Sequence, residues 1–123
     1  MGITQDGLAS LAGLAGNTGS QTAYTFLGYG SGTTSFINTQ TGLITEHADQ
    51  RSSATVTRTI TTYTNDTLQL AHTFTIDTTE TIAECGVFNA SSSGTMLART
   101  KLATARNVVS GDTWTCTYKI VFA

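Results

Sequence analysis

Proline is absent from the 123-residue chain, and charge is sparse. Asp, Glu, Lys and Arg make up 11% of the residues, against about 25% in soluble domains at large. Six basic residues face eight acidic ones, for a net charge of −2. The basic excess of a nucleic-acid-binding protein is therefore missing, and nucleic acid is not an expected partner. No apolar run approaches the roughly 18 residues of a membrane helix, so a membrane is not expected either. Two cysteines, Cys85 and Cys116, are too few for a disulfide scaffold. They read as small reduced core residues, with a disulfide between neighbouring strands as the alternative. The first residues, Met1 to Asp6, offer neither the basic segment nor the apolar core of a secretory signal. Asp6 stands where a myristoylation site needs Ser or Thr. Asn65-Asp66-Thr67 and Asn89-Ala90-Ser91 accordingly read as turns and not as glycosylation sites.

Hydrophobic residues make up 39% of the chain and mean hydropathy is near zero, which argues against wholesale disorder. Threonine fills the space left by charge and proline: 27 residues, more than a fifth of the chain. That composition favours β-structure. The length fits one domain: a helix or arm over residues 1–20 and a sandwich over 21–123. Leu8, Leu11, Ala12, Leu14 and Ala15 recur at helical spacing, with Thr4 as cap and Asp6 in the first turn. Residues 22–29 read as a strand, and the GYGSGTT segment after it as a turn whose glycines need positive φ. Ala54, Val56 and Ile60 alternate with Thr55, Thr57, Thr59 and Thr61. Past the turn at Asn65-Asp66, Leu68, Leu70, His72, Phe74 and Ile76 share one face, which makes a hairpin. Further strands are expected over 81–88 and from Met96 to Leu102. The last run, Trp114, Cys116, Tyr118, Ile120 and Phe122, carries the heaviest apolar stripe and is expected at the centre of the core. Six to eight short strands with turns every 8–14 residues predict an all-β antiparallel sandwich, jelly-roll-like. The threonine parity of these strands presents neutral hydroxyls and methyls, suited to contacts between subunits.

No catalytic constellation stands out. There is no G-x-S-x-G elbow and no phosphate-loop lysine after GYGSGTT. Glu46, His47 and Asp49 with His72 hold ligand-type side chains but match no zinc spacing, and a solvated loop is the simpler reading. Asp77, Glu80 and Glu84 lack the spacing of an EF-hand. We therefore expect no catalytic residues, no metal site and no cofactor. Arg51, Arg58, Arg99 and Arg106 are dispersed and suit paired contacts at a protein interface, with Arg58 and Arg99 as the test positions.

Several segments carry a resemblance: YTFLGYGSGTT (24–34), TQTGLITE (39–46), ATVTRTITTYTNDTLQL (54–70), ECGVFNASSSGTMLART (84–100) and NVVSGDTWTCTYKI (107–120). Together they resemble small phage virion structural proteins encoded among head and tail genes, some labelled tail-fibre-like. The resemblance covers most of the chain beyond residue 20 and includes no catalytic motif. Cys85 and Cys116 stand where that pattern tolerates small or polar residues. The resemblance implies a non-enzymatic capsid decoration, or cement, protein: a homotrimer on the phage head surface, made in the host cytoplasm. Its partners would be its own copies and the major capsid protein. A tail, baseplate or tail-fibre component for host recognition is the alternative. For that alternative, an exposed cluster of Tyr24, Tyr29 and Tyr63 would be the signature.

Overall fold

The computed structural model describes residues 2–48 and 50–122. Thr4 caps the helix as expected: its hydroxyl accepts the Gly7 N–H at 2.9 Å and donates to the Met96 carbonyl at 2.6 Å. Helix α1, Gln5–Gly16, ends at Asn17 in the left-handed region, φ 51°. Strand β1, Gly2–Ile3, precedes it. Strand β2 is Phe26–Gly30. After a long loop come β3, Ser52–Ser53, and β4, Thr55–Thr59. The rest is four longer strands: β5, Thr67–Thr75, β6, Glu80–Phe88, β7, Met96–Val108, and β8, Thr113–Val121.

All pairings are antiparallel. They make a five-stranded sheet in the order β1-β7-β6-β2-β3 and a three-stranded sheet in the order β4-β5-β8. The fold is thus an all-β sandwich with a short N-terminal helix. The pairings do not single out a jelly roll. The chain changes sheet between β3 and β4, between β5 and β6, and between β7 and β8. The core lies between the sheets, built from Leu27, Tyr29, Cys85 and Val87 on one side and Leu70, Phe74, Cys116, Tyr118 and Ile120 on the other.

Burying about 25 cal/mol per Å² of apolar surface along this seam is the main stabilising term. The N-terminal segment contributes to it. Gly2 and Ile3 pair with Arg99 and Ala98 of β7, and Leu11 and Leu14 of α1 pack on the core cluster.

The last strand supplies Cys116, Tyr118 and Ile120 to the core as expected, although Phe122 is exposed and β8 forms an edge of the smaller sheet. Its apolar stripe is one face only, with Thr113, Thr115, Thr117 and Lys119 exposed on the other. The centre of the larger sheet belongs to β6, whose residues 82–88 are all buried, because Gly32, Leu43, Ile44, Thr45 and Arg51 lie over its second face. The glycines of GYGSGTT also differ in cause from the expectation. Positive φ occurs at Gly19, Gly94 and Gly111, not at Gly28, Gly30 or Gly32. Gly28 and Gly30 lie inside β2, and a side chain on Gly30 would collide with the Thr45 carbonyl of the covering loop. Finally, Ile60 lies beyond the end of β4 and is 67% exposed. It belongs to the surface and not to a core stripe.

Candidate functional site

Three groups of polar or exposed residues remain once the core is accounted for. The first is buried. Glu84 and Arg99 are both fully inaccessible, joined by Arg99 Nε donating to Glu84 Oε1 at 2.8 Å. The same carboxylate accepts the backbone N–H groups of Gly32, Ile44 and Thr45, each at 2.8 Å. Burial alone would raise the Glu84 pKa. The Thr45 N–H, the arginine and the other two amides outweigh it and hold the carboxyl below its ordinary range. Glu84 therefore ties the covering loop to the sheet at Gly32 and at Ile44–Thr45. Arg99, expected at an exposed interface, is instead fully buried in the core.

The second group is a polar clasp at one end of the sandwich. His47 Nε2 lies 2.9 Å from Asp77 Oδ1, and Nδ1 lies 2.5 Å from Glu80 Oε2. The Tyr29 hydroxyl donates to Glu80 Oε1 at 3.0 Å. The His47 ring stacks on Tyr29, with centroids 5.6 Å apart and planes 5° from parallel. Burial and the bond to Glu80 push the Tyr29 phenol up. The hydrogen bond from His47 pulls the Asp77 carboxyl down. Ligand-type atoms of His47, Asp77 and Glu80 lie within 4.8 Å of one another, which makes this trio the metal-capable group among the described residues. Each ring nitrogen of His47 already faces a carboxylate, which makes the trio a polar clasp between its loop and the β5–β6 connection.

Nearby, Glu46 takes both Arg51 Nε and Nη2, at 3.0 and 2.8 Å. The Arg51 guanidinium lies 3.6 Å over the Phe88 ring. A groove of about 340 Å³ runs past Glu46, His47, Arg51 and Ser91 to Ser93. Both His47 ring nitrogens lie against carboxylates, those of Asp77 and Glu80, and not against those serines.

The sequence-level grouping thus regroups. Among the described residues, His47 is bonded to neither Glu46 nor His72. Glu46 pairs with Arg51. His72 packs edge-on against Phe74 at 4.6 Å in the other sheet. Asp49 lies outside the described residues. The partners His47 does have, Asp77 and Glu80, are some 30 positions away, and no short-range spacing signals them.

The third group is a surface. On the smaller sheet, register puts Thr55 beside Ala71 and Thr117, Thr57 beside Gln69 and Lys119, and Thr73 beside Thr115. These residues form one outward face carrying a single charge, Lys119. Thr73 and Thr115 bond to each other at 2.9 Å. At the end of the sheet where Thr59, Thr67 and Val121 align, four apolar side chains stand free. Ile60 is 67% exposed, Tyr63 69%, Phe122 55% and Val121 41%. Among the described residues the outer edge of β4 has no partner strand, and of its residues only Arg58 is charged. The tyrosine cluster is not assembled: Tyr24 and Tyr29 are buried and Tyr63 stands alone.

Comparison with known proteins adds no relative: no protein-family model and no curated protein matches the chain.

Proposed function

We propose that this chain is a non-enzymatic virion structural protein, a decoration protein that binds across major capsid protein subunits and stabilises the mature phage head. One observation carries the reading: the β4-β5-β8 sheet and the turns at its end offer a nearly uncharged threonine face, an edge unpaired among the described residues, and an apolar tip. Edges of this kind are usually blunted by lysine, proline or a covering segment. An exposed apolar patch on a small domain marks a contact surface. Threonine faces lose little on desolvation, because their hydroxyls can bond locally, as Thr73 and Thr115 do.

The partner and the location rest on the resemblance of segments 24–34, 39–46, 54–70, 84–100 and 107–120. Copies of this chain, in a homotrimer, would be the second partner. The mechanism is linkage: a protein that binds only the expanded lattice stabilises it by RT ln(1 + [L]/Kd) at each site.

The test is location and copy number. Purified protein is mixed with expanded and unexpanded phage heads lacking it, and bound protein is measured after sedimentation. The reading requires saturable binding in many copies to expanded heads only, and raised resistance of those heads to heat. Absence from heads, with a few copies at the tail of intact virions, overturns it in favour of a tail or baseplate part.

A further inference from the structure

We propose that Cys85 and Cys116 form a redox-controlled cross-link site, closed to a disulfide between the two sheets by a small disulfide such as oxidised glutathione. The proposal rests on the sandwich geometry and not on the function proposed above. Cys85 lies on β6, the central strand of the larger sheet, opposite Tyr29 and Thr100. Cys116 lies on β8 of the smaller sheet, opposite His72. Both side chains point into the interlayer core, and both are free and buried. Their sulfurs are 3.1 Å apart. A disulfide bond is about 2.05 Å long, so closure asks for an approach of about 1 Å between two packed strands. No other cysteine exists to compete.

The pair is not sealed from solvent. A pocket of about 240 Å³ reaches it, lined by Cys85, Thr100, Leu102, Cys116, Tyr118 and Lys119 among others. Cys116 is the more open of the two, at 7% exposure against 2%. The hydrogen bond with Cys116, and burial after it, push the Cys85 thiol up. The same bond favours the thiolate on Cys116. The accessible sulfur is therefore the better nucleophile, and the inner one is placed to resolve.

The Cys116 thiolate attacks one sulfur of oxidised glutathione, forming a mixed disulfide and releasing one glutathione thiolate. Cys85 then loses its proton and attacks the Cys116 sulfur, expelling the second glutathione thiolate. The two protons lost by the cysteines end on the two glutathiones. Two protein thiols are oxidised to one disulfide, and one glutathione disulfide is reduced to two thiols.

The folded full-length chain is incubated with oxidised glutathione, denatured, alkylated with iodoacetamide and weighed. The expected product is lighter by two hydrogens and takes up no alkyl group. Its tryptic map joins the Cys85 peptide to the Cys116 peptide. Its Tm rises by roughly 10 °C and returns on reduction with dithiothreitol. Cys85→Ser stops at a stable glutathione adduct on Cys116, with no such rise. Two thiols that stay alkylatable, a wild-type chain that keeps glutathione attached, or a cross-link between two chains overturns the site. A mapped internal disulfide with unchanged or lowered Tm overturns the stapling.

Discussion

Glu84 shows how one side chain can decide the fate of a long segment. The covering loop has little regular structure of its own, and three of its backbone N–H groups end on a single carboxylate. The pairing with Arg99 leaves Nη2 of that arginine without a partner, so the site has no reserve. Glu84→Ala leaves a buried guanidinium uncompensated and should lower stability by about 3–5 kcal/mol, read from urea unfolding at neutral pH. The pH dependence has a definite sign. The folded-state pKa of Glu84 is depressed, so its contribution is fully present above the ordinary carboxylate range. It is lost as pH falls through about 4 toward the lower native value. The gap between wild type and Glu84→Gln should therefore narrow as pH is lowered from 6 to 3. A gap that widens in acid would contradict a carboxylate that is charged in the native state. Asp66 has the same sign at the surface. The Tyr63 N–H above all, with those of Thr61 and Thr62 and the Thr67 hydroxyl, holds its carboxyl low. Asp66→Ala should lower Tm and speed amide exchange at Thr61, Thr62 and Tyr63.

At the scale of the element, Thr4 joins helix to sheet with a single hydroxyl, accepting from Gly7 and donating to Met96. Thr4→Val keeps the shape and removes both bonds. It should cost about 1–2 kcal/mol, measured by thermal unfolding, with the N–H of Gly7 losing protection first. Helix, cap and first-turn Asp6 were legible in the sequence, because capping chemistry is local. So was the β4–β5 hairpin, where Val56 pairs with Leu70 and Thr57 with Gln69 across the turn. Period-two alternation fixes which residues share a face. It does not fix which strand has neighbours on both sides. Hence the last strand, with its strong stripe, is an edge, while β6 shows less alternation because both its faces are covered. The His47 clasp was illegible for a related reason. Its loop meets the β5–β6 connection only through tertiary folding, and Asp77 and Glu80 carry no signal that they face a histidine. The fully buried Glu84–Arg99 pair was hidden too, since sparse charges in a strand read by default as solvated.

For the whole molecule, the asymmetry between the two sheets is what bears on assembly. The larger sheet has part of its outer face covered by α1 and by loop residues such as Gly32, Leu43 and Ile44. The smaller sheet is more open: its outer face is largely threonine, its β4 edge is unpaired among the described residues, and its tip exposes Ile60, Tyr63, Val121 and Phe122. The exposed side chains at the tip contribute little to the fold, so replacing them separates stability from association. The double variant Ile60→Lys, Phe122→Lys should change unfolding free energy by no more than about 0.5 kcal/mol for each site. A charge set into an apolar contact must be desolvated there, and it weakens association steeply. We expect the variant to fold with an unchanged circular dichroism spectrum, to lose at least about tenfold in affinity for expanded heads, and to be monomeric where the wild type self-associates. A tenfold loss corresponds to about 1.4 kcal/mol, which is modest for two buried anchors. Thr57→Lys on the same sheet asks whether the threonine face is covered as well. If tip and face belong to one interface, both substitutions weaken binding and neither lowers Tm. If the tip variant binds heads and self-associates as the wild type does, the apolar cluster lies outside every contact, and the weight shifts to the unpaired β4 edge and to Arg58 upon it.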